Sequence, residues 1–320
     1  MTVEKMKILF IGGTGRSGST ILGRVLNEAE GCFFVGELDR VWGQLVTQRN
    51  CVCGKPYSEC EVWAPIFQHA FGGVQEDIAI KMMEFQRRLS KEFLQMVFRP
   101  AQWARQAWVR EYIDMTERLY LAVRDVTGCR LLIDSSKGGS YNHFLSRIPS
   151  LSVYCLHLMR DPRGVVNTYN EFWRPRKREG FLKVVVPTLL GWDKAQILME
   201  GWGRFLRGSA KYMQMRYEDF VAQPQAHART IFDFADEPQL AATLPFKNER
   251  IISLHLAHIT GGNAGSNRVG DIELKLSERY HTRLSRRDKF AAVALTFPVM
   301  IRHGYLFGAR EPKRMGESAS

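Results

Sequence analysis

Four short apolar runs and a fifth, more polar segment punctuate the chain, and each stops at glycines, hydroxyls or charges. They lie near residues 6–11, 32–36, 130–134, 152–158 and 211–216. Runs of that length with little polar alternation predict strands buried on both faces of a parallel sheet. Between residues 61 and 127 the period changes. Phe85, Leu89, Phe93 and Val97 recur at helical spacing, which predicts a mostly helical insertion. A second helical stretch is expected over roughly 187–208. Ala291 to Ile301 reads as a buried helix despite Pro298. Strands separated by helices predict an α/β protein with a P-loop-like open parallel sheet of about five strands, flanked by helices. One domain over 1–310 is expected, with a late flexible loop about 258–276 and a polar tail at 311–320.

Ligands of open parallel sheets sit at the carboxyl ends of the strands, so the residues there carry the chemistry. Behind the first run comes Gly12-Gly-Thr-Gly-Arg-Ser-Gly-Ser-Thr20, then the amphipathic Ile21, Leu22, Val25 and Leu26. Strand, glycine-rich turn and helix start together aim backbone N–H groups at one spot, a ready phosphate site. Three readings compete. Gly13 and Gly18 have P-loop spacing with Thr20 at the magnesium position, but Ser19 stands where the phosphate-reaching lysine belongs. Gly13, Gly15 and Gly18 also satisfy a dinucleotide fingerprint, with Glu37 near the ribose-binding position. In the third, Arg16, Ser17, Ser19 and Thr20 suit a short phosphate-sulfate group.

The fourth run ends in Arg160-Asp-Pro-Arg, followed by Gly-Val-Val-Asn-Thr168. Pro162 fits a first helical turn. Thr168 lies about two turns beyond Arg160, so both can hold a second phosphate if the arginine leans over the helix; pairing of Arg160 with Asp161 or Asp134 is the alternative. Two separated phosphate sites match a nucleotide carrying groups at its 5′ and 3′ positions.

Here the chain resembles the sulfotransferases that use 3′-phosphoadenosine 5′-phosphosulfate (PAPS), closest to the bacterial and protein-tyrosine sulfotransferase branch. Gly13 to Thr20 is similar to their 5′-phosphosulfate loop. Arg160 to Thr168 is similar to their 3′-phosphate motif, with threonine for the more usual serine. The resemblance implies PAPS as donor, 3′,5′-adenosine bisphosphate (PAP) as product and no metal. It assigns Gly15, Arg16, Ser17, Gly18, Ser19, Thr20, Arg160, Thr168, Tyr217 and Arg268 to the nucleotide, with Lys275 a weaker candidate. It makes Glu37 the general base, and Lys137, with Arg16, the cation on the transferred group. Asp134 to Ser136 can cap the helix after the third run. In this family, insertions between strands build the acceptor pocket, which makes Trp42, Trp63, Trp103, Trp108 and Phe172 candidates alongside a core role.

Composition alters this picture little. Lys and Arg number 45 against 33 Asp and Glu, a formal charge of +12 over 320 residues. That field attracts an anionic donor, and equally nucleic acid, but no nucleic-acid signature is present. Arg174 to Arg178 is the strongest local basic run. No run is long enough for a membrane span or a signal peptide, so a cytoplasmic enzyme is expected. Its acceptor is expected to be a small alcohol, phenol or natural-product intermediate bearing a hydroxyl. A homodimer through the helical insertion is one arrangement open to it. A kinase-like phosphotransferase and a non-catalytic nucleotide- or RNA-binding protein are the alternatives.

Six cysteines are present, three of them in Cys51-Val-Cys53-Gly-Lys-Pro-Tyr-Ser-Glu-Cys60. Zinc there needs a fourth ligand from elsewhere, and Cys-x-Cys is shorter than the usual spacing. A Cys53–Cys60 disulfide is unusual in reducing cytosol. Free thiols and no metal site are the expectation. Cys32, Cys129 and Cys155 lie in apolar runs and are expected in the core.

Overall fold

The structure, a computed structural model, describes residues 5–177, 181–206, 210–261 and 267–306, and the side chains of 172–181 are not described. Its centre is a parallel sheet of order β2-β3-β1-β4-β5, built from β1 (Met6–Gly13), β2 (Cys32–Gly36), β3 (Leu131–Lys137), β4 (Leu151–Met159) and β5 (Lys211–Arg216). Side chains of a strand alternate between faces, and here the alternation feeds two cores. Ile8 and Phe10, with Leu132, Val153 and Cys155, face one core; Leu9 and Ile11, with Leu131, Ile133, Tyr154 and Leu156, face the other.

The first core is closed by the insertion. After α1 (Ser19–Asn27) and α2 (Val41–Val46) come α3 (Trp63–Phe71), α4 (Glu76–Lys91), α5 (Phe93–Phe98), α6 (Pro100–Ala104) and α7 (Ala107–Thr127). Trp42, Trp63, Trp103 and Trp108 are all buried in this core, so packing, and not a pocket, is their role. Tyr112 stacks on Phe144 of α8 (Gly139–Leu145) with centroids 4.3 Å apart. The long α7 stops at Gly128, whose φ of 68° is the left-handed conformation that closes helices.

The second core lies under α1, α11 (Tyr217–Ala222), α12 (Pro224–Phe234) and a hairpin of β6 (Ile251–Leu254) and β7 (Gly270–Glu273). The expected late loop of 258–276 is therefore partly strand, and Thr260 also bridges to Gly36. Residues 262–266 and the tail 311–320 lie outside the described residues.

Between the fourth and fifth strands stand α9 (Pro162–Lys177) and α10 (Phe181–Gly201); α13 (Tyr280–Arg283) and α14 (Arg286–Arg302) follow the hairpin. The second helical stretch starts earlier than expected and keeps Pro187 inside α10. Nor is α14 buried all round: Phe290, Leu295, Phe297 and Ile301 are exposed, while Ala291, Ala292 and Met300 face inward. The expected cap by Asp134 to Ser136 is also absent. Strand β3 runs on to Lys137, and Gly138 is the N-cap of α8, with no side-chain capping bond.

Candidate functional site

The five strand ends converge on one edge, and their local conformations are unusual. In the β1–α1 turn, Gly13 and Gly18 adopt φ of 124° and 95°. A Cβ on Gly18 would lie 2.2 Å from the Tyr217 ring, so only glycine lets this ring close over the turn. Arg16 and Lys137 also take positive φ, 66° and 64°. Non-glycine residues there cost of order 1–3 kcal/mol and cluster at functional sites. Strand pairing explains Lys137. Its ladder to β1 shifts between Phe10 and Gly12, and that from β2 to β3 shifts between Phe34 and Gly36. Such irregularities re-aim a strand-end side chain.

Below this bend Asp134 is fully buried. Its carboxylate accepts from the Ser136 amide at 2.8 Å, the Ser136 hydroxyl at 2.5 Å and Tyr120 Oη at 2.5 Å. Burial pushes its pKa up, and these hydrogen bonds oppose that shift. Asp134 therefore fastens the strand end that presents Lys137.

Arg16, Gly18, Thr20, Arg160, Thr168, Tyr217 and Arg268 all line one cleft of about 450 Å³. That volume is in the range of small-molecule sites. Arg160 leans back over the first turn of α9: a Cβ on Gly164 would meet its Nε at 3.2 Å. Its guanidinium lies 4.9 Å from the Tyr217 ring centroid and donates to the Arg16 carbonyl at 3.0 Å. It makes no pair with Asp161, which binds Arg163 at 2.5 Å instead. The Thr168 hydroxyl donates to the Gly164 carbonyl at 3.0 Å, so holding an anion by that proton requires its rotation.

Two cations of this cleft escaped the sequence reading. Arg24, on α1, is buried and donates to the carbonyls of His255 at 2.6 Å and Arg268 at 2.7 Å. It ties the late segment to the helix behind the glycine turn; burial lowers its pKa. Arg279 lines the cleft just before α13. Lys275 lines it too, paired with Glu273 at 2.8 Å. Glu171, also on the wall, pairs with Arg283 at 2.8 Å. The six cationic side chains on the wall outnumber these two carboxylates, so the cleft favours an anion.

The remaining candidates sit around the turn. Ser17 and Ser19 are buried beneath it. Gly15 lines a neighbouring recess with Tyr169 and α10, and Lys137 lines another with Gly13 and Met199. Glu37 follows β2 and is nearly buried. One carboxylate oxygen contacts Lys137 Nζ, and the other accepts from Arg40 Nε at 2.8 Å. The base and cation candidates are thus brought into direct contact, outside the cleft wall. Phe172 and the basic run 174–178 lie outside the described side chains.

Residues 153–241 match the sulfotransferase family. Among solved structures, the sulfotransferase domain of the Synechococcus PCC 7002 olefin synthase is similar over 95% of this chain and 97% of that one. Its identity is 18% and the TM-score 0.52. The sulfotransferase domain from the curacin biosynthetic pathway covers 92% of this chain and 99% of its own, at 17% identity and TM-score 0.46. Sulfotransferase STF9 from Mycobacterium avium covers 76% and 67%, at 15% and 0.43. No curated protein matches the chain. Among the described residues no helix is long and apolar enough to cross a membrane. The matched segment spans β4, the Arg160 turn and β5, and the sheet that holds it has the fold of the olefin synthase's sulfotransferase domain.

Proposed function

We propose that the protein transfers a sulfuryl group from PAPS to a hydroxyl of a small molecule and releases PAP. One observation carries this reading. The glycine turn, Arg160 with Thr168, Tyr217 and Arg268 share a single cationic cleft. A nucleotide phosphorylated at both ends needs two anion sites joined by a stacking surface. The turn supplies one and Arg160 the other, with the Tyr217 ring between them. ATP offers no 3′-phosphate to Arg160, and Ser19 leaves no lysine for its γ-phosphate.

In this reading the acceptor oxygen attacks sulfur while the bond from sulfur to the 5′-phosphate oxygen breaks. Glu37 takes the hydroxyl proton. Arg16 and Lys137 stabilise charge on the sulfuryl oxygens and the departing phosphate, as positioned donors do at developing anions. The Lys137–Glu37 contact adds an order to these events. Both carboxylate oxygens of Glu37 are occupied by cations, Lys137 and Arg40. Donor oxygens that draw Lys137 away release the carboxylate, so donor binding precedes acceptor activation. The recesses beside Gly13 along α10 are the acceptor side. The olefin synthase neighbour supports a biosynthetic intermediate as acceptor.

Calorimetric titration with PAP, 5′-AMP, ATP and NAD tests the donor assignment. PAP should bind tightest, and Arg160→Ala should abolish its advantage over 5′-AMP. Equal affinities, or tighter ATP or NAD, would overturn it. With PAPS and an acceptor found by screening, Glu37→Gln should lower kcat by roughly 10²–10⁴-fold without weakening PAP binding.

A further inference from the structure

The cysteine loop between β2 and α3 does not stand alone. Cys51 and Cys60 are buried, Cys53 is half-buried, and all three are free thiols. Cys53 Sγ lies 3.7 Å from Cys60 Sγ. From the other end of the chain, His258 brings its Nδ1 to 3.2 Å from Cys60 Sγ. The four ligand atoms all fall within 4.8 Å of one another. We propose that Cys51, Cys53, Cys60 and His258 form a structural zinc site.

The dimensions support this. Four ligands on a tetrahedron at ~2.3 Å (S) and ~2.0–2.1 Å (N) from zinc stand about 3.8 Å apart for two sulfurs and about 3.5 Å for sulfur and nitrogen. The two separations above lie close to those edges, and a three-thiolate, one-imidazole set is a known closed zinc arrangement. Soft thiolate ligands disfavour magnesium, calcium and manganese. The surroundings also suit a metal. His258 Nε2 is 3.2 Å from a Glu61 carboxylate oxygen. A carboxylate there holds the proton on Nε2 and points the Nδ1 lone pair at the thiols, the usual outer partner of a zinc-bound histidine. The His258 carbonyl accepts from Trp63 Nε1 at 2.9 Å, which fixes the backbone behind the ring. The loop is bent to bring its thiols together: the Gly54 amide donates to the Cys51 carbonyl at 2.9 Å, and Gly54 adopts φ of 91°.

The site joins segments 198 residues apart, and what it joins is specific. Two residues after His258, the Thr260 amide donates to the Val35 carbonyl at 2.8 Å and its own carbonyl accepts from the Glu37 amide at 2.9 Å. A metal at His258 therefore anchors the strap that holds the strand end bearing Glu37. Its function is positional and requires no contact with substrate.

Metal content decides the matter without reference to activity. Protein purified under reducing conditions from zinc-supplemented cells, with no metal-affinity step, should contain about one zinc per chain by plasma mass spectrometry. Cobalt added to the stripped full-length protein should give an intense thiolate-to-cobalt charge-transfer band and the visible absorption of tetrahedral cobalt. Cys60→Ala should remove both, but that chain could also misfold. Glu61→Gln is the milder variant, because the Glu61 side chain is largely exposed. It should weaken zinc affinity ~10–100-fold in a folded protein. Zinc far below one per chain together with no thiolate–cobalt band would overturn the proposal. So would bound metal that leaves alkylation of Cys51, Cys53 and Cys60 unchanged.

Discussion

Gly18→Ala tests whether the Arg160–Tyr217 stack belongs to the donor site. Gly18 sits at φ of 95°, where an alanine pays roughly 1–2 kcal/mol of left-handed backbone strain. Its Cβ would also stand 2.2 and 2.3 Å from two carbons of the Tyr217 ring. Overpacking of this kind typically costs ~1–3 kcal/mol. The sum is about 2–5 kcal/mol if the ring stays, and less if it swings out. Gly128→Ala is the control: its φ is also positive, at 68°, but nothing lies within 4 Å of the added carbon. It should lose only the backbone share. A displaced ring forfeits the contact with the Arg160 guanidinium, about 0.5–2 kcal/mol, or roughly 2- to 30-fold in PAP affinity. Urea denaturation measures the first effect, and PAP calorimetry the second. Gly18→Ala should exceed Gly128→Ala in both. Equal stability losses with unchanged PAP binding would refute a role for the stack.

Two further outcomes are expected. Arg16→Gly relieves a positive φ while removing the loop cation. Stability should hold or rise by up to about 1 kcal/mol, while PAP binding weakens ~10–100-fold, as befits a charge-assisted contact; a parallel loss of stability would mean that Arg16 serves the fold. Burial holds His157 at a pKa of about 4, against 6.5 for the free side chain. The unfolded chain then binds the extra proton between those values, so the stability His157 confers is full above pH 6.5 and is lost as pH falls towards 4. The loss is of order 3 kcal/mol. Asp39, pushed up to about 7 chiefly by burial, titrates with opposite sign over an overlapping range. His143, also pushed down to about 4 by burial, adds to the histidine share, so the wild-type curve sums all three groups and the difference between wild type and His157→Gln isolates His157. Parallel curves for the two proteins from pH 4 to 6.5 would contradict it.

Much of the frame was legible because its signals are local. The apolar runs gave β1 to β4 within a few residues, since buried parallel strands leave little polar interruption, and the more polar edge strand β5 was placed as well. The glycine turn and the Arg160 motif were readable because sheet ends and helix starts carry their own residue chemistry. What escaped depends on distance in sequence. Nothing in α1 says that Arg24 reaches the Arg268 carbonyl, and nothing near the cysteines says that His258 arrives. The positive φ of Lys137 follows from pairing on both sides of β3, which no window along one strand contains. The tryptophans misled for another reason. A large aromatic side chain has the same composition in a pocket as in a core, and only packing separates the two.

The arginine ties across the cleft bear on how the chain is made. Arg24 belongs to the first helix, but its two carbonyl partners are at His255 and Arg268. The wall is completed by Lys275 and Arg279. Translation therefore delivers the glycine turn and the Arg160 motif long before the groove between them has its far side. A product terminated ahead of Ile251 would keep the whole family-matching segment, 153–241, yet leave Arg24 without these carbonyls and the groove with one wall. The cleft is complete only once the segment from Ile251 to Arg279 is made, and a truncated chain that still carries the glycine turn and the Arg160 motif lacks it.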